Sequence, residues 1–347
     1  MWHKFFSLLL LLTLAGCDRS GPEALLNNYS ERVSRVLEVE SPPLALSSVP
    51  AFPPRRSRIL PTESLREGLL DVLQLKQCGM LTLIAERNSS LGKVYTPASR
   101  LLYELRFYQQ IHQCYTTLQQ ASAPDPELLL QVSHIVAVKQ RNLSLELWNG
   151  LYTAAEMEQH FARNAAPLKI GAPPLPAAAL ATIQVTVQRT LAGKPLNEIT
   201  LEQLTNSFAA LHASDAGASL LQSLKLLTAY LQQVSESIEQ RLKDKPMCLQ
   251  GRPTPQADIL HNVFRKYYAG DVQPYMALVQ RQGEPWFNLH QIILSAFAEQ
   301  GQLPAAMHQY QQRLTALWQQ YIQARNNHTQ SWQKILRQCG LMPSNNS

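Results

Sequence analysis

The sequence predicts an all-α fold of roughly ten helices, arranged as an irregular bundle and closed by two disulfides. Apolar residues recur at intervals of three and four along most of the chain after residue 62, as on one face of an amphipathic helix. Helix-capping residues precede most of these runs, and no hairpin dipeptide lies between alternating strands. Glycine is scarce, with 14 in 347 residues.

The amino terminus carries an export signal. Lys4 precedes an apolar run over residues 5–14, and small residues follow before Cys17. Such a run rises about 15 Å as a helix, roughly half the hydrocarbon thickness, so it is too short for an ordinary membrane span. We therefore interpret residues 1–16 as a cleaved signal peptide.

The residues Leu14-Ala15-Gly16-Cys17 resemble the bacterial lipobox. The resemblance implies that the Cys17 thiol is alkylated with diacylglycerol and that the peptide bond before it is cut. Two or more acyl chains hold a protein firmly on a bilayer where one chain does not. By resemblance to enteric lipoproteins, Asp18 implies retention in the inner membrane. The alternatives are a soluble secreted protein and an aspartate that merely begins a linker.

These residues predict a protein of the bacterial cell envelope, lipid-anchored and facing the periplasm. With 45% hydrophobic residues, the chain can form the core of one large domain or of two closely packed ones. The net charge of +6 suits anionic lipid or the acidic wall polymer. Lysines and arginines are scattered rather than interleaved with aromatics, so we expect no nucleic-acid partner. No second long apolar run follows the anchor, so no membrane span is expected there.

The amino-terminal segment, residues 17–61, is expected to hold the lipid, a first helix and a strap. Residues 22–40 predict the helix, because Pro22 suits a first turn and apolar residues repeat at helical spacing. Residues 41–62 contain six prolines and predict an extended strap over the surface. Three strap arginines suit either a solvated charge cluster or contact with lipid headgroups: Arg55, Arg56 and Arg58.

The remaining chain is predicted to form two helical subdomains, residues 62–166 and 167–347, that pack on each other. Helices of the first are expected at 62–78, 80–88, 97–118, 126–150 and 153–165. Helices of the second are expected at 177–191, 201–213, 215–243, 256–268, 272–281, 286–299 and 304–339. Capping is expected from Thr96, Asp125, Thr153 and Thr200. On the last helix the apolar seam is expected to slip at His328, as a stutter would.

Four cysteines follow the anchor, and an even number in an oxidising periplasm predicts two disulfides. Cys78 is expected to pair with Cys114, since the return leg of a helical pair brings them together. Cys248 is expected to pair with Cys339, which would staple the carboxyl terminus to the core. Crossed pairing and four buried free thiols are the alternatives. No closely spaced Cys or His pair occurs, so no metal or cofactor is expected.

No catalytic motif stands out. The sequence lacks the nucleophile-elbow pattern G-x-S-x-G, the zinc-binding pattern H-E-x-x-H and the phosphate-binding P-loop. Ser-x-x-Lys occurs twice, as Ser90 with Lys93 and Ser331 with Lys334, but without the K-T-G or S-D-N partners of penicillin-binding enzymes. The aromatic side chains of the last helix suit core packing, or alternatively a ligand groove: Tyr310, Trp318, Tyr321 and Trp332.

Glu63 is the one candidate catalytic residue. Glu63-Ser64, followed distantly by Tyr267-Tyr268-Ala269-Gly270, is faintly similar to lytic transglycosylases. Glu63 would then be the general acid and would need burial to raise its pKa. An acid in a first helical turn is also ordinary capping, and the central segment of that family is missing.

Over its whole length the chain is similar to an uncharacterised family of proteobacterial lipoproteins, domain of unknown function 3080 (DUF3080). The resemblance is carried by three segments: Leu14-Ala15-Gly16-Cys17-Asp18, Glu31-Arg32-Val33 and Leu75-Lys76-Gln77-Cys78-Gly79. It implies an envelope lipoprotein without an established activity, so only the lipid-bearing Cys17 is carried over. We therefore expect a non-enzymatic binding or scaffolding domain, with an envelope protein or cell-wall partner that the sequence does not name. The alternative is a peptidoglycan-cleaving enzyme that uses Glu63.

Overall fold

The computed structural model describes residues 21–65, 69–194, 196 and 201–342. Within these ranges the chain is helical and contains no strand, and ten α-helices have seven or more residues. The prediction of an all-α fold with roughly ten helices is confirmed. No helix in the described part is long and apolar enough to cross a bilayer.

The helices are numbered in chain order. The first seven are α1 (Pro22–Leu37), α2 (Leu69–Gln74), α3 (Leu81–Asn88), α4 (Ser90–Lys93), α5 (Pro97–Gln120), α6 (Pro126–Tyr152) and α7 (Ala155–His160). The others are α8 (Ala177–Leu191), α9 (Leu201–His212), α10 (Ala216–Asp244), α11 (Pro255–Val263), α12 (Gln273–Glu299) and α13 (Ala305–Gln338). Short 3-10 helices span Arg55–Ser57 and Leu75–Cys78, and a π-helix spans Phe264–Val272.

Two of the predicted caps are formed, and one is not. The Thr96 hydroxyl accepts the Ser99 amide at the start of α5, and the Asp125 carboxylate caps α6. Thr153 does not cap α7, because its hydroxyl donates to the Asn149 carbonyl at 2.7 Å and so closes the end of α6. α7 begins at Ala155 and ends at His160, short of the predicted boundary at residue 165. Thr200 lies outside the described residues.

The expected break between helices near residues 282–285 is wrong. α11, the π-helix and α12 form one continuous rod, because the chain passes from one to the next without leaving helical geometry. Pro274 lies in the first turn of α12, next to the wider π turn. Pro285 lies inside α12, where buried Gln282 and Trp286 keep the helix packed.

In the part of the chain that the structure describes, the core consists of two hydrophobic clusters. The larger surrounds α10, which is buried along most of its length by α1, α12 and α13. The smaller lies between α5 and α6 and contains Tyr103, Phe107 and Ile111. These residues form the buried face of the second half of α5. Because α6 contributes to both clusters, the predicted subdomain boundary at residue 167 stays a prediction.

α1 runs parallel to α10 in a constant register. Three side-chain pairs join the two helices, each at a sequence separation of 203 residues: Asn27–Tyr230, Ser30–Gln233 and Glu38–Arg241. α13 also runs parallel to α10, with His328 facing Ser235 at 3.2 Å. Since the register is constant, adding 203 to the number of a residue in α1 gives the residue at the same level along α10.

The seam of α13 does not slip at His328. Buried residues continue at spacings of three and four through Ala324, His328, Ser331 and Ile335. The stutter was expected because these seam positions are small or polar rather than apolar. α13 nevertheless keeps the same register against α10 through this stretch.

Both predicted disulfides are formed. Cys78 pairs with Cys114 at a Cα–Cα distance of 5.3 Å, and Cys248 pairs with Cys339 at 5.1 Å. Crossed pairing and free thiols are thereby excluded. The first bridge ties the end of the Leu75–Cys78 helix to α5, and the second ties the end of α13 to the loop after α10.

The strap over residues 39–65 is held by side chains of α6. Asn149 makes two hydrogen bonds of 2.8 Å with the backbone of Leu60, and Asn142 bonds the backbone of Glu63 in the same way. Residues 62–65 are not helical, and the helix expected to start there is first described at Leu69. The side-chain amides of Asn142 and Asn149 donate to and accept from the strap backbone, as the backbone of a neighbouring strand would.

Arg58 is buried rather than solvated. Its guanidinium donates to the Tyr152 carbonyl, pairs with Glu158 and lies 4.2 Å above the Phe52 ring. Arg55 and Arg56 are exposed, so the expected three-arginine cluster is divided between the core and the surface. Arg58 fastens the strap to the α6–α7 corner.

Candidate functional site

The predicted lipid-anchor residues lie outside the described residues. Cys17 and Asp18 precede Gly21, the first position that the structure describes. Lipidation of Cys17 and sorting by Asp18 therefore stay predictions. The other predicted site residues are all described.

Glu63 lies at the edge of a cavity of about 710 Å³ between the strap, α3, α5 and α6. We call this cavity the ion-paired pocket, because acidic and basic side chains alternate around it. Its charged lining is Glu63, Arg87, Arg100, Glu104, Lys139 and Glu146. The structure thus places Glu63 beside two carboxylates that the sequence analysis did not single out.

Each carboxylate of the ion-paired pocket has a basic partner. Glu104 bonds Lys139 at 2.6 Å, with the two side chains only 9% and 15% exposed. Glu146 pairs with Arg100. Glu63 pairs with Arg141 at 2.9 Å and is 51% exposed, unlike the buried and unpaired carboxyl that a general acid needs.

The ion-paired pocket therefore holds charge in neutralised pairs. Burial raises the pKa of the Tyr103 hydroxyl, and the neighbouring Glu104 raises it further. The signal for this pocket was present in the sequence, since Glu104 and Glu146 interrupt apolar stretches of two helices. Their basic partners lie 35 and 46 residues away, and no local rule connects them.

A second cavity, of about 720 Å³, lies on the other side of the α5–α6 pair, against the ends of α8 and α12. We call it the amide groove, because glutamine side chains dominate its polar lining. Its polar lining consists of Gln109, His112, Gln113, Gln140, Ser144, Thr190 and Gln300, together with one cation, Lys194. Leucines of three helices form its floor: Leu105, Leu143 and Leu191.

The amide groove is rich in paired donors and acceptors. Each glutamine offers one carbonyl acceptor and two N–H donors. The Tyr108 ring lies beside the His112 ring at a centroid distance of 5.6 Å and presents an aromatic surface. The Thr190 hydroxyl in the wall is buried and has no hydrogen-bond partner among the described residues. The groove suits a ligand that carries hydroxyl and amide groups, and Lys194 adds a cation to its lining.

A third polar cluster is closed to solvent. Trp286 donates its indole N–H to His160 Nε2 at 2.6 Å, and the His290 ring lies 5.5 Å from the His160 ring. Neither His290 ring nitrogen has a hydrogen-bond partner in the described part of the chain. Burial lowers the pKa of His160 to about 4, and burial with the nearby His160 lowers the pKa of His290.

This histidine cluster is not a metal site of ordinary composition. No group of three or more His, Cys, Asp or Glu side chains able to hold a metal occurs within the described ranges. The sequence analysis missed the cluster because His160 and His290 are 130 positions apart and carry no local motif.

The aromatic residues of α13 pack in the core and form no groove. Tyr310, Tyr321 and Trp332 are at most 1% exposed, and Trp318 is partly buried against Phe287. The core-packing prediction for these residues is confirmed.

The second Ser-x-x-Lys pair serves a structural contact. The Ser331 hydroxyl donates to Glu239 at 2.9 Å, and the Lys334 ammonium bonds the same carboxylate at 2.7 Å. Lys334 is therefore engaged by an acid and is not placed as a base for Ser331.

Comparison with known proteins gives one match. A family model described as protein of unknown function (DUF3080) matches residues 26–343. No curated protein and no solved structure matches the chain.

Proposed function

The chain belongs to the DUF3080 family, whose function is unknown, and we propose that it is a non-enzymatic binding or scaffolding lipoprotein of the bacterial cell envelope. In this proposal the lipidated Cys17 anchors the protein at the periplasmic face of a membrane, with the inner membrane favoured by Asp18. The helical domain then presents a binding surface to another envelope component.

The amide groove is the observation that carries the binding role. It is a concave surface with an apolar floor, several neutral polar groups and one cation, Lys194, which is the usual composition of a ligand site. Its side chains include no carboxylate or cysteine. The groove is therefore suited to hold a ligand rather than to transform one.

The two disulfides support the proposed periplasmic location. Disulfides persist in oxidising environments such as the periplasm and are rare in the bacterial cytosol. They accord with export directed by the amino-terminal signal.

Photocrosslinking tests the binding role. A photoreactive amino acid at Gln113, inside the groove, should crosslink a defined partner in intact cells. The matched control is the same amino acid at Gln333, which is exposed on α13 away from the groove. Identical products from both positions, or none from Gln113, would contradict a ligand site in the groove.

The alternative function is peptidoglycan cleavage by Glu63. The ion-paired pocket favours it in one respect, since Glu63 opens onto a cavity that holds two further carboxylates. Purified mature protein would then release muropeptides from peptidoglycan, and Glu63→Gln would abolish the release. We expect no release from either protein.

A further inference from the structure

The loop between α7 and α8 lies at the same level along α10 as the start of α1. The constant register of 203 residues places Gly21 at the level of Leu224 on α10. One residue away, the Ser223 hydroxyl oxygen accepts the Leu168 amide at 2.8 Å. The loop is therefore attached to α10 at the level where the amino-terminal segment enters the fold.

The loop and α1 also share one face of α10. Ser223 precedes Tyr230 by seven residues, and seven residues turn an α-helix through about 700°, which is within about 20° of two full turns. Tyr230 contacts α1 through Asn27. Leu168 thus lies on the same face of α10 that α1 covers, but nearer the amino terminus of α10.

The loop is basic and has an apolar tip. Arg163 and Lys169 are exposed, and the Ile170 side chain is 53% exposed. The sequence contains no acidic residue between Glu158 and Glu198. Exposed apolar side chains flanked by cations are typical of segments that contact anionic lipid surfaces.

The amino-terminal segment limits how far this loop can lie from the bilayer. Cys17 precedes Gly21 by four residues, and four residues span at most about 14 Å when fully extended. We propose that residues 162–171 contact the anionic lipid headgroups of the membrane that holds Cys17, with Ile170 entering the interface. The inference rests on the proposed lipid anchor. It adds that the protein lies with one flank against the bilayer.

Lipid quenching of a label tests this orientation. Full-length lipidated protein carrying an environment-sensitive fluorophore at Ile170→Cys is reconstituted into phosphatidylglycerol-containing vesicles with spin-labelled lipids. The matched control is Ile259→Cys, 54% exposed on α11. The bond from Gln256 to Val36 places α11 beside the far end of α1, roughly 22 Å from Gly21. We expect strong quenching at residue 170 and little at residue 259.

Charge removal gives a second measurement. Arg163→Gln with Lys169→Gln should weaken loop contact about 30-fold, at about 5-fold for each charge near an anionic surface. Lys243→Gln with Lys245→Gln removes the same charge at the far end of α10 and should leave the quenching unchanged.

The outcomes separate the inference from its premise. Intact mass of the purified protein shows whether Cys17 carries acyl chains, and an unlipidated product would overturn both the anchor and the loop contact. A lipidated protein whose label at residue 170 stays in water would overturn the loop contact alone. Equal quenching at residues 170 and 259 would also overturn it, since the protein would then have no fixed orientation.

Discussion

Tyr29 and His328 are joined by a buried hydrogen bond of 2.8 Å, although 299 positions separate them in the sequence. Trp332 donates to the Tyr29 oxygen at 2.7 Å, so Tyr29 in turn donates to His328 Nε2. The other ring nitrogen of His328 faces Ser235, whose hydroxyl donates to the Leu231 carbonyl. Every donor in this series has an acceptor, which assigns His328 as neutral with its proton on Nδ1. The series fastens α1 to α10 and α13.

Removing the Tyr29 hydroxyl should destabilise the protein. Tyr29→Phe leaves the buried His328 Nε2 with only the longer hydrogen bond of 3.2 Å from the Trp332 indole, and losing one hydrogen bond costs about 0.5–1.5 kcal/mol. Chemical denaturation would measure the change. Tyr267→Phe is the matched control, since its partly buried ring lies on the surface side of the same rod and stacks on Arg32. An unchanged unfolding midpoint for Tyr29→Phe would show that the bond contributes nothing.

The buried histidines should make stability fall in acid. Burial lowers the pKa of His160 to about 4 and that of His328 to about 3, below the usual value of 6.5. Between pH 6.5 and about 4 the unfolded chain binds protons that the folded chain does not. The free energy of unfolding therefore decreases as pH falls through this window, by about 1.4 kcal/mol per pH unit for each such histidine.

Replacing one histidine should reduce this pH dependence. His290→Leu removes a buried ring without hydrogen-bond partners among the described residues, so it should flatten the decrease between pH 6.5 and 4.5. Urea unfolding at several pH values would show the slope. His134→Leu, at an exposed position, should leave it unchanged. A His290→Leu slope equal to the wild-type slope would contradict the assignment.

The carboxylates of the ion-paired pocket should differ in their effect on stability. Glu104→Gln removes the charged partner of Lys139, whose side chain is only 15% exposed, and removing one partner of a buried pair costs about 3–5 kcal/mol. Glu63→Gln breaks an exposed pair with Arg141 and should cost less than about 1 kcal/mol. Thermal and urea unfolding of both variants would test this. Similar losses for the two would show that burial does not govern these pairs.

Arg58 should control the attachment of the strap. Arg58→Met removes the bonds to the Tyr152 carbonyl and Glu158, and we expect faster protease cleavage in residues 50–60 together with a loss of about 2–4 kcal/mol. Arg56→Met, at an exposed neighbouring position, should change neither. Equal cleavage rates for the two variants would show that the strap is held by other contacts.

The two disulfides should contribute unequally. The bridge from Cys248 to Cys339 closes 91 residues and that from Cys78 to Cys114 closes 36. In the chain-entropy model the longer loop stabilises by about 0.8 kcal/mol more. Denaturation of the two double Cys→Ser variants would give the difference. A greater loss for the shorter loop would show that the entropy of the unfolded chain is not the main contribution.

Local chemistry in the sequence determined the helices and much of their order. Apolar spacing of three and four residues, with caps such as Thr96 and Asp125, predicts α5 and α6 because each helical hydrogen bond joins neighbours in the chain. The pairing of Cys78 with Cys114 also followed from helix order, since consecutive elements usually lie side by side.

Tertiary packing alone decided the rest. Thr153 could cap α7 or close α6, and only the packed corner selects the second. Pro285 predicts a break in isolation, but burial of Trp286 keeps the helix continuous. The pairs Glu104–Lys139, His160–His290 and Tyr29–His328 join residues with no local relationship, so no periodicity reveals them. Their partners are chosen by which helix faces meet, because the energy of a buried polar group depends on the group that packs against it.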